Sequence, residues 1–136
     1  MLAETTDEAE LREAQAEGRL WVALADGTPV GFVLVDLLPS GLPHLEELSV
    51  DPRHGRRGVG AALVRAACEW AARSGHPELS LTTFRDVPWN LPFYARLGFE
   101  EVPRDELRPE LVEILRDEAS RGLDPLRRAV MRYRPR

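Results

Sequence analysis

The hydrophobic positions of this chain follow two spacings, and each spacing predicts a different kind of element. Segments with an apolar residue at every third or fourth position predict helices, and short continuous or alternating apolar runs predict strands. The order expected is a helix over 5–18, a hairpin over 20–35, a strand over 44–50, a helix over 59–74, a strand from 78, a short helix over 90–97, a strand near 99, a helix over 109–121 and a last strand over 127–134. This order predicts one α/β (α+β) domain over 1–136, in which helices cover both faces of a twisted, mostly antiparallel sheet with one parallel pair around the central helix.

Turn and cap residues lie at the ends of the predicted first helix and between the two predicted hairpin strands. Thr5 and Glu8 have capping-box spacing at the start of the first helix, and Gly18 can end it. Asp26-Gly27 between two apolar runs predicts a tight hairpin.

Composition narrows the class of protein. With 136 residues, 43% of them hydrophobic, the chain suits a single core. The formal net charge of −5 argues against nonspecific nucleic-acid binding and weakly favours cationic small molecules or basic peptides as partners. No apolar run reaches bilayer length, so we expect a cytoplasmic protein without membrane contact. Cys68 is the single cysteine, which excludes an internal disulfide, and its helical setting predicts a buried, inert thiol.

The stretch "RHGRRGVGAAL" from Arg53 is the strongest candidate for chemistry. Gly58 and Gly60 lead into a helix, whose first N–H groups and partial positive charge can bind an anion. Arg56 and Arg57 add positive charge. The Walker and dinucleotide patterns do not fit these glycines. On the glycines alone, a phosphate cradle and an ordinary tight turn with surface arginines are equally consistent.

Two motifs in the correct order resemble the GNAT superfamily of acyl-CoA N-acyltransferases. Residues 51–61 resemble its Gln/Arg-x-x-Gly-x-Gly/Ala signature, and "FYARLGF" from Phe93 resembles its second motif. The resemblance implies a single GNAT-like domain that uses acetyl-CoA, with Leu48 and Val50 pairing through their backbone with the pantetheine arm. It places the coenzyme A pyrophosphate on the loop residues Gly55, Arg56, Arg57, Gly58, Val59, Gly60 and Ala61. Asn90 is a further candidate for cofactor contact, or it caps its helix.

The sequence departs from the family pattern at three points. Gly55 stands at the Gln/Arg position, and Val87 stands where the family usually has an asparagine. The strand that the family places before the opening helix is not found, which predicts an exposed hairpin edge that favours pairing with a second copy. We expect no metal, because His54 and His76 have no second ligand at metal spacing.

The strand "HLEELSV" carries the candidate bases. His44 and Glu46 share one strand parity, whereas Glu47 lies on the other face unless a bulge intervenes. Leu45 and Leu48 have opposite parity, which predicts such a bulge. Glu46 is the first choice as general base, acting directly or through water, and His44 is the second. The alternative is that all three are solvated side chains.

Tyr94 matches the family tyrosine that protonates the departing sulfur; the alternative is a core aromatic beside Phe93. The resemblance therefore implies an N-acetyltransferase that moves the acetyl group of acetyl-CoA to a primary amine of a small molecule, in a ternary complex. Two alternatives are a non-catalytic coenzyme A-binding module and a transferase for protein N-termini or lysines.

Overall fold

The computed structural model describes residues 8–55 and 57–135, apart from the side chains of Glu8 and Glu10; Thr5 and Arg56 lie outside this part. Its helices and strands are α1 (Glu8–Ala16), β1 (Leu20–Ala25), β2 (Thr28–Leu37), β3 (Pro43–Val50), α2 (Val59–Arg73), β4 (Leu79–Phe84), α3 (Asn90–Arg96), β5 (Glu100–Glu101), α4 (Pro109–Ser120) and β6 (Arg128–Tyr133). Short 3-10 turns lie at Pro52–His54, Arg104–Glu106 and Pro125–Arg127. The predicted order of helices and strands is confirmed.

The six described strands form one sheet in the order β1-β2-β3-β4-β6-β5. All neighbours are antiparallel except β3 and β4, which run parallel, as predicted. Their register contains a single pair, His44 with Ser80. Beyond this pair the two strands separate, so a cleft opens between the carboxyl ends of β3 and β4.

Helices cover both faces of the sheet, again as predicted. The larger core joins α2 to the side chains of Val33, Val35 and Leu81, and α3 packs against the same core. Because neighbouring strand positions alternate in direction, Leu34 and Val130 point to the opposite face. There Val130 packs against Leu111 and Leu115 of α4. Helix α1 packs against β1 and β2.

The predicted bulge lies at Glu46 in β3. Val35 pairs with Leu45 and Leu34 pairs with Glu47, which leaves Glu46 as the extra residue. The bulge turns both Leu45 and Leu48 toward the α2 face. In a regular strand Glu47 and His44 would point to opposite faces. Because of the bulge, Glu47 lies on the same face as His44.

Strand β1 forms one edge of the described sheet. The two-residue turn at Asp26-Gly27, with φ of 51° and 79°, joins it to β2 as the sequence predicts. Val22 and Leu24 are 51% and 63% exposed. Pairing of this edge with a second copy stays a prediction.

Candidate active site

The segment between β3 and α2 forms a turn that can bind an anion. Asp51 accepts a hydrogen bond from the Arg53 backbone and closes the short turn at the end of β3. Gly58 then takes a left-handed conformation, φ 80°, and α2 begins at the next residue. The first turn of α2 contains no acidic residue, so its N–H groups and positive helix end face no carboxylate from that turn.

Of the predicted cofactor-binding residues in this loop, Gly58, Val59, Gly60 and Ala61 form the helix start, and Arg57 is exposed beside them. Gly55 has an extended backbone, φ −64°, and follows the short turn.

Gly60 borders the cleft between β3 and β4. A Cβ atom at this position would lie 3.6 Å from Phe93 Cζ, 3.7 Å from Val50 Cγ2 and 3.9 Å from Leu48 Cδ2. These side chains come from α3 and from the end of β3, so the helix start, α3 and the open end of β3 meet at one place. Because Gly60 has no side chain, the start of α2 packs closely against these three side chains.

The β4-facing edge of β3 supplies hydrogen-bonding groups to this cleft. On its other side, β3 pairs with β2 through Val33–Leu48 and Gly31–Val50. Within the described residues, the ladder with β4 ends at His44. The β4-facing backbone from the bulge to Val50 can therefore pair with an extended chain as a further strand would.

His44 lies at the root of the cleft and is 4% exposed. Its Nδ1 is 2.8 Å from the hydroxyl of Ser80. Burial lowers the pKa of His44 to about 4, although Glu118 and Asp36 act in the opposite direction. The imidazole is thus neutral at pH 7, and the interpretation of His44 as a solvated side chain is wrong.

Glu46 reaches a cavity of about 480 Å³ on the α4 face, which His44 also lines. Glu46 is exposed, as expected for the extra residue of a bulge. The cleft described above opens on the α2 face, so the two openings lie on opposite sides of the same stretch of β3. Two ligands could therefore reach this strand at the same time, one from each face of the sheet.

A buried ionic network closes the inner wall of that cavity. Arg128 Nε donates to Glu118 at 2.9 Å, and the Thr82 hydroxyl donates to the same carboxylate at 2.7 Å. Glu118 is 6% exposed and Arg128 is 9% exposed. Because each charge has a partner, the network fixes α4 against the sheet without leaving a buried charge uncompensated.

Tyr94 lies on α3 within an aromatic cluster. Its ring centroid is 4.9 Å from Phe93 and 5.6 Å from Phe99. Burial raises the pKa of Tyr94 to about 12, so the phenol keeps its proton at neutral pH. Its packing fits the core interpretation, and its protonation state fits the proton donor implied by the resemblance.

Asn90 does not cap α3. It is the first residue of that helix, and the cap position belongs to Trp89. The Asn90 side-chain amide instead donates to the Phe84 carbonyl at 3.4 Å, where β4 ends. This bond ties the start of α3 to the edge of the cleft, and a direct contact between Asn90 and cofactor stays a prediction.

Cys68 is buried in α2, as the sequence predicts. Burial raises the pKa of the Cys68 thiol to about 12, which makes it a poor nucleophile. Among the described residues, no group of three acidic, histidine or cysteine side chains could hold a metal ion.

The sequence interpretation missed the acidic side of the cavity. Glu110, Glu113 and Asp117 of α4 all line it. Their spacing of three and four residues, which places side chains on one face of a helix, was the available signal. Ser80 carried no such signal, because its role depends on the position of a distant strand.

The sequence profile of the Acetyltransferase (GNAT) family matches residues 2–99, and the chain belongs to this family. A relative in Escherichia coli, the uncharacterized N-acetyltransferase YafP, is 31% identical over 102 residues, which cover 74% of this chain and 59% of YafP. The chain thus spans less than two thirds of that relative's length. None of the helices described is long and apolar enough to cross a membrane.

Solved structures show the same fold. PaiA N-acetyltransferase from Thermoplasma acidophilum, in complex with coenzyme A, aligns with a TM-score of 0.67 at 18% identity, over 93% of this chain and 68% of PaiA. AAC(6')-Iy, in complex with the bisubstrate analogue CoA-S-monomethyl-acetylneamine, aligns with a TM-score of 0.62 at 27% identity, over 76% of this chain and 79% of that one.

Proposed function

We propose that this chain transfers the acetyl group of acetyl-CoA to a primary amine of a small molecule, by direct attack in a ternary complex. The observation that carries the proposal is the open β4-facing edge of β3, which runs from the bulge at Glu46 to the glycine turn of α2. Family membership and the coenzyme A complexes of related folds support acetyl-CoA as the donor.

In this proposal the donor lies in the cleft. The N–H groups at the start of α2 and the Arg57 guanidinium hold its pyrophosphate. The pantetheine arm runs past Gly60 and pairs with the backbone of β3 at Leu48 and Val50. A backbone N–H beside the bulge then lies where the thioester oxygen gains negative charge, which stabilises the tetrahedral intermediate.

The acceptor amine enters from the α4 face. Its nitrogen lone pair attacks the thioester carbon, the carbon–sulfur bond breaks, and the nitrogen loses a proton. Glu46 takes this proton directly or through water, and neutral His44 is the second candidate. The thiolate that leaves receives a proton from Tyr94.

The test is release of coenzyme A thiol from acetyl-CoA in the presence of a set of primary amines. We expect Glu46→Gln to lower kcat by about 10² or more and Tyr94→Phe by about tenfold or more. Glu69→Gln, an exposed acid on α2 away from the site, is the matched control and keeps its rate. Wild-type rates in both site variants would refute the assigned roles.

Two other results would favour a different function for this chain. Coenzyme A binding without thiol release for any amine would indicate a binding module. Acetylation of peptide N-termini or lysines in preference to small amines would indicate a protein acetyltransferase.

A further inference from the structure

Ser80 and His44 form a buried pair at the point where β3 and β4 separate. Ser80 is 3% exposed and His44 is 4% exposed, and they face each other at the single register pair of the two strands. Within the described part of the chain, each side chain makes one hydrogen bond, and it is the bond between them. The ring and the hydroxyl therefore depend on each other for their hydrogen bonding.

This pairing decides which ring nitrogen of His44 carries the proton. A neutral imidazole has one N–H donor and one acceptor nitrogen, and a hydroxyl has one proton to donate. If Ser80 donates to Nδ1, the hydroxyl proton has an acceptor and the ring proton lies on Nε2. If Nδ1–H donates to Ser80 instead, the buried hydroxyl proton has no acceptor among the described residues, which costs free energy. The geometry therefore favours a proton on Nε2.

The charges around the ring favour the same arrangement. Asp36 of β2 and Glu118 of α4 both act to raise the pKa of His44, although Arg128 of β6 binds Glu118. Negative charge attracts an N–H group and repels a nitrogen lone pair.

The second ring nitrogen of His44 reaches the cavity on the α4 face. The bond to Ser80 uses Nδ1, and the ring lines this cavity. Of the described side-chain atoms that are buried without a hydrogen-bond partner, none belongs to His44. Nε2 is therefore the ring nitrogen that meets the open space of the cavity, which the Glu46 side chain also lines.

We propose that Ser80 is a positioning residue that acts through His44: its hydroxyl donates to Nδ1 and so fixes the ring as an Nε2–H donor toward the cavity. This inference rests on the proposed function, in which Glu46 and His44 are both candidates for the base. A nitrogen that already carries a proton cannot take one from the amine. Glu46 is then the base, and the Nε2–H of His44 donates to its carboxylate and holds it toward the acceptor. The ring keeps its proton throughout the reaction.

The position of the ring proton can be measured directly. Two-bond proton–nitrogen correlation spectra of the ¹⁵N-labelled whole chain are recorded at pH 7.5 without ligand, where an unprotonated ring nitrogen resonates far downfield of a protonated one. The chain has three histidines, and the His44 signals are those missing from His44→Gln. We expect the proton on Nε2 in the native chain. A proton on Nδ1 would overturn the inference.

Variants of β4 test the part played by the hydroxyl. In Ser80→Ala we expect the Nδ1 signal of His44 to move, because Nδ1 loses its donor. Ser80→Thr keeps a hydroxyl and should keep the native signal. Thr83→Val is the matched control, since it removes a buried hydroxyl from the opposite face of the same strand. Melting temperatures check that each variant folds, and an unchanged Nδ1 signal in folded Ser80→Ala would overturn the role of Ser80.

Rates of thiol release separate positioning from structural support. We expect Ser80→Ala to lower kcat about tenfold with little change in the KM for acetyl-CoA, and Ser80→Thr to restore the rate. The acidic limb of the pH profile of kcat/KM should stay in place in His44→Gln and disappear in Glu46→Gln. Loss of this limb in His44→Gln, with the limb intact in Glu46→Gln, would make His44 the base and overturn the inference.

The two measurements also separate this inference from the proposed function. If Nε2 carries the proton but no amine releases thiol from acetyl-CoA, the hydrogen bond from Ser80 stands and the transferase function fails. If thiol is released but Nδ1 carries the proton, the function stands and the role of Ser80 fails.

Discussion

Protonation of His44 is expected to destabilise the fold as the pH falls. The pKa of His44 is about 4 in the folded chain and 6.5 in an unfolded one. The unfolded chain therefore takes up the proton first, and stability falls with pH between these two values. Above pH 7.5 both states are neutral and the effect vanishes; below pH 4 both are protonated and it reaches its limit.

The size of the effect follows from the gap between the two pKa values. Each pKa unit corresponds to about 1.4 kcal/mol, so the limit is about 3 kcal/mol, and about 2 kcal/mol is lost by pH 5. The cause is burial of the ring beside Ser80. Glu118 and Asp36 favour the charged form of His44, but their effect on its pKa is smaller than that of burial.

Urea unfolding followed by the fluorescence of Trp21 and Trp70, whose rings lie 5.8 Å apart, measures this loss. The free energy of unfolding is compared at pH 7.5, 6 and 5 for the native chain and for His44→Gln. Carboxylates that titrate in both proteins cancel in the comparison. We expect the native chain to lose about 2 kcal/mol more than the variant between pH 7.5 and 5. Parallel pH dependences would refute the argument that His44 is buried and neutral.

Two further predictions concern buried groups. Glu118→Gln leaves the buried Arg128 guanidinium without its counter-charge and should cost about 3 kcal/mol of unfolding free energy, whereas Glu113→Gln, in an exposed pair, should cost under about 1 kcal/mol. Equal losses in urea titrations would contradict this contrast. The thiol of Cys68 should resist iodoacetamide at pH 8 in the native chain and react once urea unfolds it, as followed by mass spectrometry. Labelling of the native chain, with loss of activity, would reopen a role for Cys68 as nucleophile.

Features with local causes could be predicted from the sequence. The hairpin depends on Asp26-Gly27, whose positive φ angles few other residue pairs adopt, and the start of α2 depends on Gly58. The bulge in β3 was also predictable, because Leu45 and Leu48 can share one face of a strand only if a residue is added between them.

Features that depend on distant contacts could not be predicted. The acidic cavity exists because α4 packs near the β2–β3 end, where Glu110 binds Ser40 across 70 residues of sequence. The burial of His44 depends on Ser80 of a neighbouring strand. A histidine in a strand that also carries Glu46, Glu47 and Ser49 is as consistent with an exposed side chain as with a buried one. The hydrogen bond from the Asn90 amide to the Phe84 carbonyl could not be predicted either, because it depends on how α3 packs against the end of β4.

The most direct test of the central claim is calorimetric titration of acetyl-CoA into the native chain, Gly60→Ala and Gly60→Val. Because the nearest atom to a Cβ at Gly60 is 3.6 Å away, alanine fits without displacing a neighbour, whereas the extra methyl groups of valine crowd Phe93, Val50 and Leu48 at the border of the cleft. We expect one-to-one binding to the native chain, a small change in Gly60→Ala, and at least a tenfold weaker affinity in a folded Gly60→Val. No binding to the folded native chain, or equal affinity in Gly60→Val, would contradict the placement of the donor between β3, β4 and the glycine turn.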